Sequence, residues 1–278
     1  MKIKKSVFFR KTNKVIMKFK KNIIIGNKKG EGSVIVNSFP KSGTHLLLQV
    51  IQKFPNVNYQ HDFIASQPSL TFKELNNWKI NKKIENITDH EVVPAHLMFN
   101  SGFEEIIKKK NIVHFFIYRD LRDVVISEAY YLSKMNKWHK LNKYFKNLSM
   151  DEAISLAING LDEKGIYYPD IGTRFERYKE WINRSNTFSL RYEDLISSNK
   201  HDTIEKMLIY YCEKNNINFD SNYVTKALEN INPAKSHTFR KGEKNSWKNN
   251  FSERNKRDMK KQAGELLIEL KMEKDLKW

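Results

Sequence analysis

The stretch VIVNSFPKSGTHLLLQV, residues 34–50, constrains this chain more than any other. Val34 to Asn37 read as a buried strand, and Thr44 to Phe54 as the helix that follows. Between them lies Phe39-Pro40-Lys41-Ser42-Gly43-Thr44. A strand that turns through small residues into a helix exposes backbone N–H groups at the positive end of the helix dipole, a seat for an anion. Gly43 allows close approach of an anion, Ser42 and Thr44 offer hydroxyls, and Lys41 supplies a point charge. The nucleotide-triphosphate loop requires Gly-x-x-x-x-Gly-Lys-Ser/Thr. Here the lysine precedes the glycine and the first glycine is missing, so the loop suits phosphate without being of the Walker type.

The rest of the chain supports an α/β reading. Residues 111–120, NIVHFFIYRD, form a second apolar strand that runs into a helix, LRDVVISEAYYLSKM. TFSLRYEDLI reads as a third strand entering a turn, and RFERYKEWIN as an amphipathic helix. Ser149, followed by acids, is an expected N-cap. Residues 55–90 read as polar and irregular, with weak helix near SLTFKELNNW, and Pro94 interrupts the short apolar run EVVPAHLMF. Helices dominate from about His201 onward. With no internal repeat and no Pro/Gly/Ser-rich linker, the expectation is a single domain: a mainly parallel sheet flanked by helices, over residues 33–278. Residues 1–32, rich in lysine and nearly free of acids, read as a basic extension, a segment also compatible with peripheral contact with an anionic membrane.

Charge and cysteine content narrow the class. The net charge is +18, which attracts polyanions. Lysine is spread along the whole chain, which favours solvated faces and an anionic cofactor over a dedicated nucleic-acid groove. The single cysteine, Cys212, excludes an intrachain disulfide and a cysteine-based metal site, so a reducing cytoplasm is the expected setting. Nothing resembles the roughly 20-residue apolar run of a membrane-spanning helix.

Three further stretches carry candidate chemistry. YRDLRDVVIS sets Arg119 at the end of a strand, where open α/β sheets bind ligands, with Ser127 further along the helix. Arg240, Lys241 and Gly242 fall in a polar loop, FRKGEKNSWKNNF, flanked by aromatic residues. His96 follows an apolar run. Read singly, each has a structural explanation: a cap and ion pair for Arg119 and Asp120, an exposed basic loop for Arg240 to Gly242, a satisfied structural histidine for His96.

Together these stretches resemble the cytosolic-type sulfotransferases, which use 3′-phosphoadenosine 5′-phosphosulfate (PAPS). PKSGTH is similar to their PKSGTTW loop, YRDLRDVVIS to their 3′-phosphate element, RYEDL to the segment with an adenine-side tyrosine, and RKGEKNSWKNNF to RKGxxGDWKNxF. The motifs follow family order. The resemblance implies the sulfotransferase variant of the P-loop fold, and a donor that leaves as adenosine 3′,5′-bisphosphate with no metal required. It implies that Lys41, Ser42, Gly43, Thr44 and His45 hold the 5′-phosphosulfate, with Lys41 also stabilising the leaving phosphate. Arg119 and Ser127, joined by Arg240, Lys241 and Gly242, would bind the 3′-phosphate, and Tyr192 would lie at the adenine. His96 matches the family's general base.

The departures are specific. Pro94 replaces a lysine before the base, Met98 a proline after it, Leu46 the tryptophan that stacks on adenine, His45 the second loop threonine, and Asn245-Ser246 a Gly-Asp pair. KNNFSERNKR does not reproduce the dimerisation signature of animal members, which leaves the oligomeric state open. Residues 55–95 and 130–175 are expected to wall the acceptor pocket, with Phe63, Trp78, Tyr130, Tyr131, Trp138, Tyr167 and Tyr168 as candidates. Such walls suit a small-molecule hydroxyl or amine acceptor, whether metabolite, natural product or glycolipid headgroup. The competing readings are a P-loop nucleotide kinase and a non-catalytic basic protein that binds polyanions.

Overall fold

In this computed structural model, which describes residues 32–60, 62–163, 165–232 and 244–278, the strands are β1 Val34–Ser38, β2 Asn58–Tyr59, β3 Ile64–Ala65, β4 Glu91–His96, β5 Val113–Tyr118, β6 Leu161–Glu163, β7 Ile166–Tyr168 and β8 Thr187–Arg191. The helices that matter below are α1 Thr44–Ile51, α2 Asn77–Glu85, α3 Ser101–Lys109, α4 Leu121–Tyr130, α5 Asn142–Phe145, α6 Met150–Asn159, α7 Ile171–Lys179, α8 Tyr192–Ile196, α9 Lys200–Asn215, α10 Asn222–Asn230, α11 Trp247–Asn250 and α12 Glu253–Glu269. The main sheet has the order β2-β4-β1-β5-β8, with β3 added beside β4, and its pairings are parallel. β6 and β7 form a separate antiparallel hairpin. The basic extension expected over residues 1–32 lies, but for Gly32, outside the described residues.

Strand alternation sorts the core into two layers. Val34, Val36, Phe115 and Ile117 face one side, where α1, α9 and α10 cover them. Ile35, Val93 and Phe116 face the other, under α2, α3, α4, α6, α7 and α12. A strand buried on both faces reads as a continuous apolar run, which is why β1 and β5 were legible as strands. The apolar run around Pro94 proves to be β4, an interior strand beside the central β1. Its other neighbour is broken there: β2 pairs with Glu91 and Val92, β3 with Ala95 and His96, and Val93 and Pro94 face the gap. That stretch is in effect an edge, where a residue without an N–H is tolerated.

Two helix boundaries differ from expectation. SLTFKELNNW is not helical over most of its length; α2 begins at its end, where the Asn76 side chain accepts from the Trp78 N–H at 2.8 Å, and buries Ile80 and Ile84 one turn apart. The first helix stops at Ile51, short of Phe54. Ser149 does cap α6, in a reciprocal arrangement with Glu152.

Because the strands run parallel, β1, β4, β5 and β8 all end at the same edge of the sheet. That edge brings the loop after Ser38, His96, Arg119 and Tyr192 together from distant parts of the sequence.

Candidate active site

The loop after β1 is held by its own backbone. Phe39 N–H donates to the Ile117 carbonyl at 3.2 Å, and Ser42 N–H returns to the Phe39 carbonyl at 3.2 Å. Lys41 sits at φ 68° and Gly43 at φ 100°. A lysine in the left-handed region is uncommon and marks a backbone held in place by its surroundings. At Gly43 the requirement is also steric, because a Cβ there would stand 2.5 Å from the Tyr192 ring. No side chain caps α1, and no acid lies in its first turn, so nothing in that turn offsets the positive end of its dipole. The Ser42 hydroxyl is buried without a hydrogen-bond partner among the described residues. An orphaned hydroxyl at a helix N-terminus fits a phosphate-like group that would accept from it.

Arg119, at the end of β5, lies over the Tyr192 ring at 4.4 Å and pairs with Asp123 at 3.4 Å. Asp123 also accepts from the Ser246 hydroxyl at 2.9 Å and the Trp247 N–H at 3.0 Å. Burial raises its pKa, against the pull of the Arg119 charge. Ser127 follows Asp123 one turn along α4, on the same face. Arg240, Lys241 and Gly242 lie outside the described residues.

His96 closes β4. Its Nδ1 lies 3.1 Å from the Ser38 carbonyl oxygen and 3.0 Å from the Ser38 hydroxyl, which in turn is 2.6 Å from the Thr44 hydroxyl. A carbonyl can only accept, so Nδ1 carries the proton and Nε2 keeps its lone pair. Desolvation by burial, aided by the nearby His45 and Lys41, lowers the His96 pKa to about 4. The ammonium of Lys41 lies over the Tyr131 ring at 4.0 Å. Burial lowers its pKa to about 8, with Glu128 opposing and Arg119 reinforcing the shift.

These groups share one cavity of about 440 Å³, lined by Lys41, Gly43, Thr44, His45, His96, Arg119, Ser127 and Tyr192. The sulfotransferase domain family matches residues 31–271. The chain belongs to that family. No curated protein sequence matches it. Among solved structures it is similar to mouse sulfotransferase SULT7A1 complexed with PAP, at 18% identity and a TM-score of 0.63, over 88% of this chain and 87% of that one. It is also similar to retinol dehydratase in complex with androsterone and inactive cofactor PAP, at 14% identity and a TM-score of 0.59, over 85% of this chain and 80% of that one. Retinol dehydratase with retinol and PAP gives 13% identity and a TM-score of 0.60, over 85% and 81% of the two chains. At these identities the likeness shows the fold.

This sulfotransferase walls the rest of its cavity with aromatic and apolar side chains, among them Phe63, Phe72, Met98, Tyr131 and Tyr168. Trp78, Tyr130, Trp138 and Tyr167, expected in that wall, are not among its lining residues. Trp78, Trp138 and Tyr167 are instead exposed. In β7, Tyr168 faces the cavity, and alternation turns Tyr167 to solvent. Trp78 lies on the outer face of α2, with the Lys82 ammonium over its ring.

Sequence reading missed the charged part of the wall. Arg174, from α7, pairs with Glu128 at 2.9 Å, donates to the Pro169 and Ala157 carbonyls, and stacks on Tyr168 at 4.1 Å. Four partners hold that guanidinium in one place, and it fixes Glu128 in turn. Glu128 directly follows Ser127, which was the one available signal. Nothing in RFERYKEWIN distinguishes the inward Arg174 from its surface neighbours.

Proposed function

We propose that the chain transfers the sulfuryl group of PAPS to a hydroxyl or amine of a small-molecule acceptor. The observation that carries this reading is His96: its Nδ1 is tied to the Ser38 carbonyl, so its lone pair is offered beside a loop built for an anion. Bound at that loop, the donor would supply an activated sulfuryl group on a phosphate leaving group. The chain's own work is positioning and charge stabilisation.

In this reading Lys41, Ser42, Gly43, Thr44 and His45 hold the 5′-phosphosulfate. Lys41 sets its charge against the oxygen that gains charge as the bond breaks. Arg119 and Ser127, with Arg240, Lys241 and Gly242, receive the 3′-phosphate, and Tyr192 borders the adenine. Leu46 then presents an aliphatic surface where the family resemblance calls for a stacking tryptophan. His96 takes the acceptor's proton on Nε2, and the Ser38 carbonyl, already accepting from Nδ1, steadies the imidazolium that forms. The catalytic unit spans residues 33–278, with residues 1–32 as a basic extension, and the setting is cytoplasmic.

Thermal stabilisation tests the donor assignment. Adenosine 3′,5′-bisphosphate at about 100 times its dissociation constant should add about 2.7 kcal/mol, read as a rise in Tm, and AMP far less. Equal shifts with both would remove the 3′-phosphate assignment. Turnover of labelled PAPS against a panel of phenols, alcohols and amines then identifies the acceptor class.

A further inference from the structure

The rim of the cavity on the Tyr131 side is both basic and apolar. Lys134, Lys137, Lys140, Lys143 and Lys146 recur at every third position, and no acid occurs between Glu128 and Asp151. All five are exposed, and none pairs with a carboxylate among the described residues. Trp138 projects from the midst of them at 84% exposure. Lys140 N–H donates to the Ser69 carbonyl at 3.0 Å, which fastens this segment to residues 69–72 and brings up Leu70, itself 70% exposed. Ser69 and His139 line the cavity, and each is the chain neighbour of one of these two exposed apolar side chains. Two exposed apolar side chains thus flank residues that line the cavity, beside a segment whose five lysines make no ion pair among the described residues.

We propose that this rim docks on the surface of an anionic lipid bilayer, with Trp138 and Leu70 seated among the headgroups and the lysines facing lipid phosphates and carboxylates. A large indole and an aliphatic side chain offered to water cost free energy, which an interface relieves. A run of lysines without acids is attracted to a negatively charged leaflet. Single-stranded nucleic acid would use the lysines and could stack on Trp138, but it has no use for Leu70. The patch has limits: Asp62 is exposed beside Phe63, and Asp162 and Glu163 are exposed on β6, so the contact rests on residues 134–146 and Leu70 rather than on the whole rim. The orientation would turn the cavity mouth toward the membrane, where an acceptor with an apolar body would be concentrated.

The test is co-sedimentation of the full chain with vesicles of phosphatidylcholine alone or mixed with phosphatidylserine. The expected result is binding to the mixed vesicles, weakening with salt, and little to the neutral ones. L70S combined with W138S should abolish binding while the thermal shift with adenosine 3′,5′-bisphosphate persists. K137Q combined with K140Q should lower affinity about 25-fold, at about five-fold per lysine near such a surface. Failure to bind the mixed vesicles would overturn the proposal. So would full binding by both variants, or binding lost only on removal of residues 1–31. Stronger retention by an oligothymidylate than by the vesicles would assign the patch to nucleic acid instead.

Discussion

In the proposed mechanism Lys41 acts charged and His96 neutral; burial favours the neutral imidazole and works against the ammonium, which Glu128 helps to hold. His96 is neutral above about pH 4 and Lys41 is charged below about pH 8, so the free protein holds the working pair between those limits. Binding a polyanion stabilises the protonated form of each, which moves both values upward. The pH profile of kcat should therefore lie alkaline of that of kcat/KM, since the latter reports the free enzyme. Lys41→Arg should remove the alkaline limb, because guanidinium does not titrate there; a limb that stays near pH 8 would show that it belongs to another group. His96→Ala should lower turnover by about 10²–10⁴ while binding of adenosine 3′,5′-bisphosphate survives, and near-normal turnover would exclude His96 as the base. At this scale the sequence was informative wherever a residue type is rare in its setting, such as a lysine and a glycine in a strand-to-helix turn. It was silent on Arg174 and Glu128, since one more charged residue on an amphipathic helix carries no mark of facing inward.

Helix α4 shows how one element serves two ends. Asp123, Ser127 and Glu128 recur at helical spacing and face the cavity. Its start is fastened elsewhere: Asp120 caps the helix and pairs with Arg122, whose guanidinium also reaches Glu273 and lies against the Trp247 and Trp278 rings, at 4.1 and 4.7 Å; the two rings meet each other edge to face. Residues from α11 and from beyond α12 thus clamp the turn that carries Arg119. Removing one partner of a buried ion pair leaves the others uncompensated, so Arg122→Ala should cost about 3–5 kcal/mol, read from the urea midpoint. Arg122→Lys should recover only part of it, because a single ammonium cannot meet both Asp120 oxygens and Glu273 as the planar guanidinium does. A loss below about 1 kcal/mol in the alanine variant would mean the clamp is not structural. This clamp was hidden in the sequence, where Arg122 and Trp278 lie far apart. Strand β4 was hidden for a different reason: a proline inside an apolar run argues for an edge, and only the gap between β2 and β3 gives this interior strand one.

At the scale of the molecule, parallel strands deliver four separate loops to one edge, and the same close cover on both faces buries histidines that would otherwise titrate near neutrality. His114 lies under the edge of the Trp181 ring at 4.5 Å, its Nδ1 2.8 Å from the Thr187 hydroxyl, and burial lowers its pKa to about 3. His96 and His139 are lowered to about 4 by the same cause. In the unfolded chain each returns to about 6.5. As pH falls below that value, the unfolded state takes up protons that the folded state refuses, so stability declines by up to about 1.4 kcal/mol per pH unit for each group. Asp123 and Glu193 oppose this, because burial raises their carboxyl pKa values and the folded state then holds their protons more readily. Three lowered histidines stand against these two carboxyls, so Tm should fall as pH drops below about 6.5, before acid denaturation proper begins. His114→Gln, whose amide can still meet the Thr187 hydroxyl, should flatten that slope by about one proton's worth without altering ligand binding. An unchanged slope in this variant would mean that His114 takes up no more protons unfolded than folded, and the decline would then rest on His96 and His139, at the cavity.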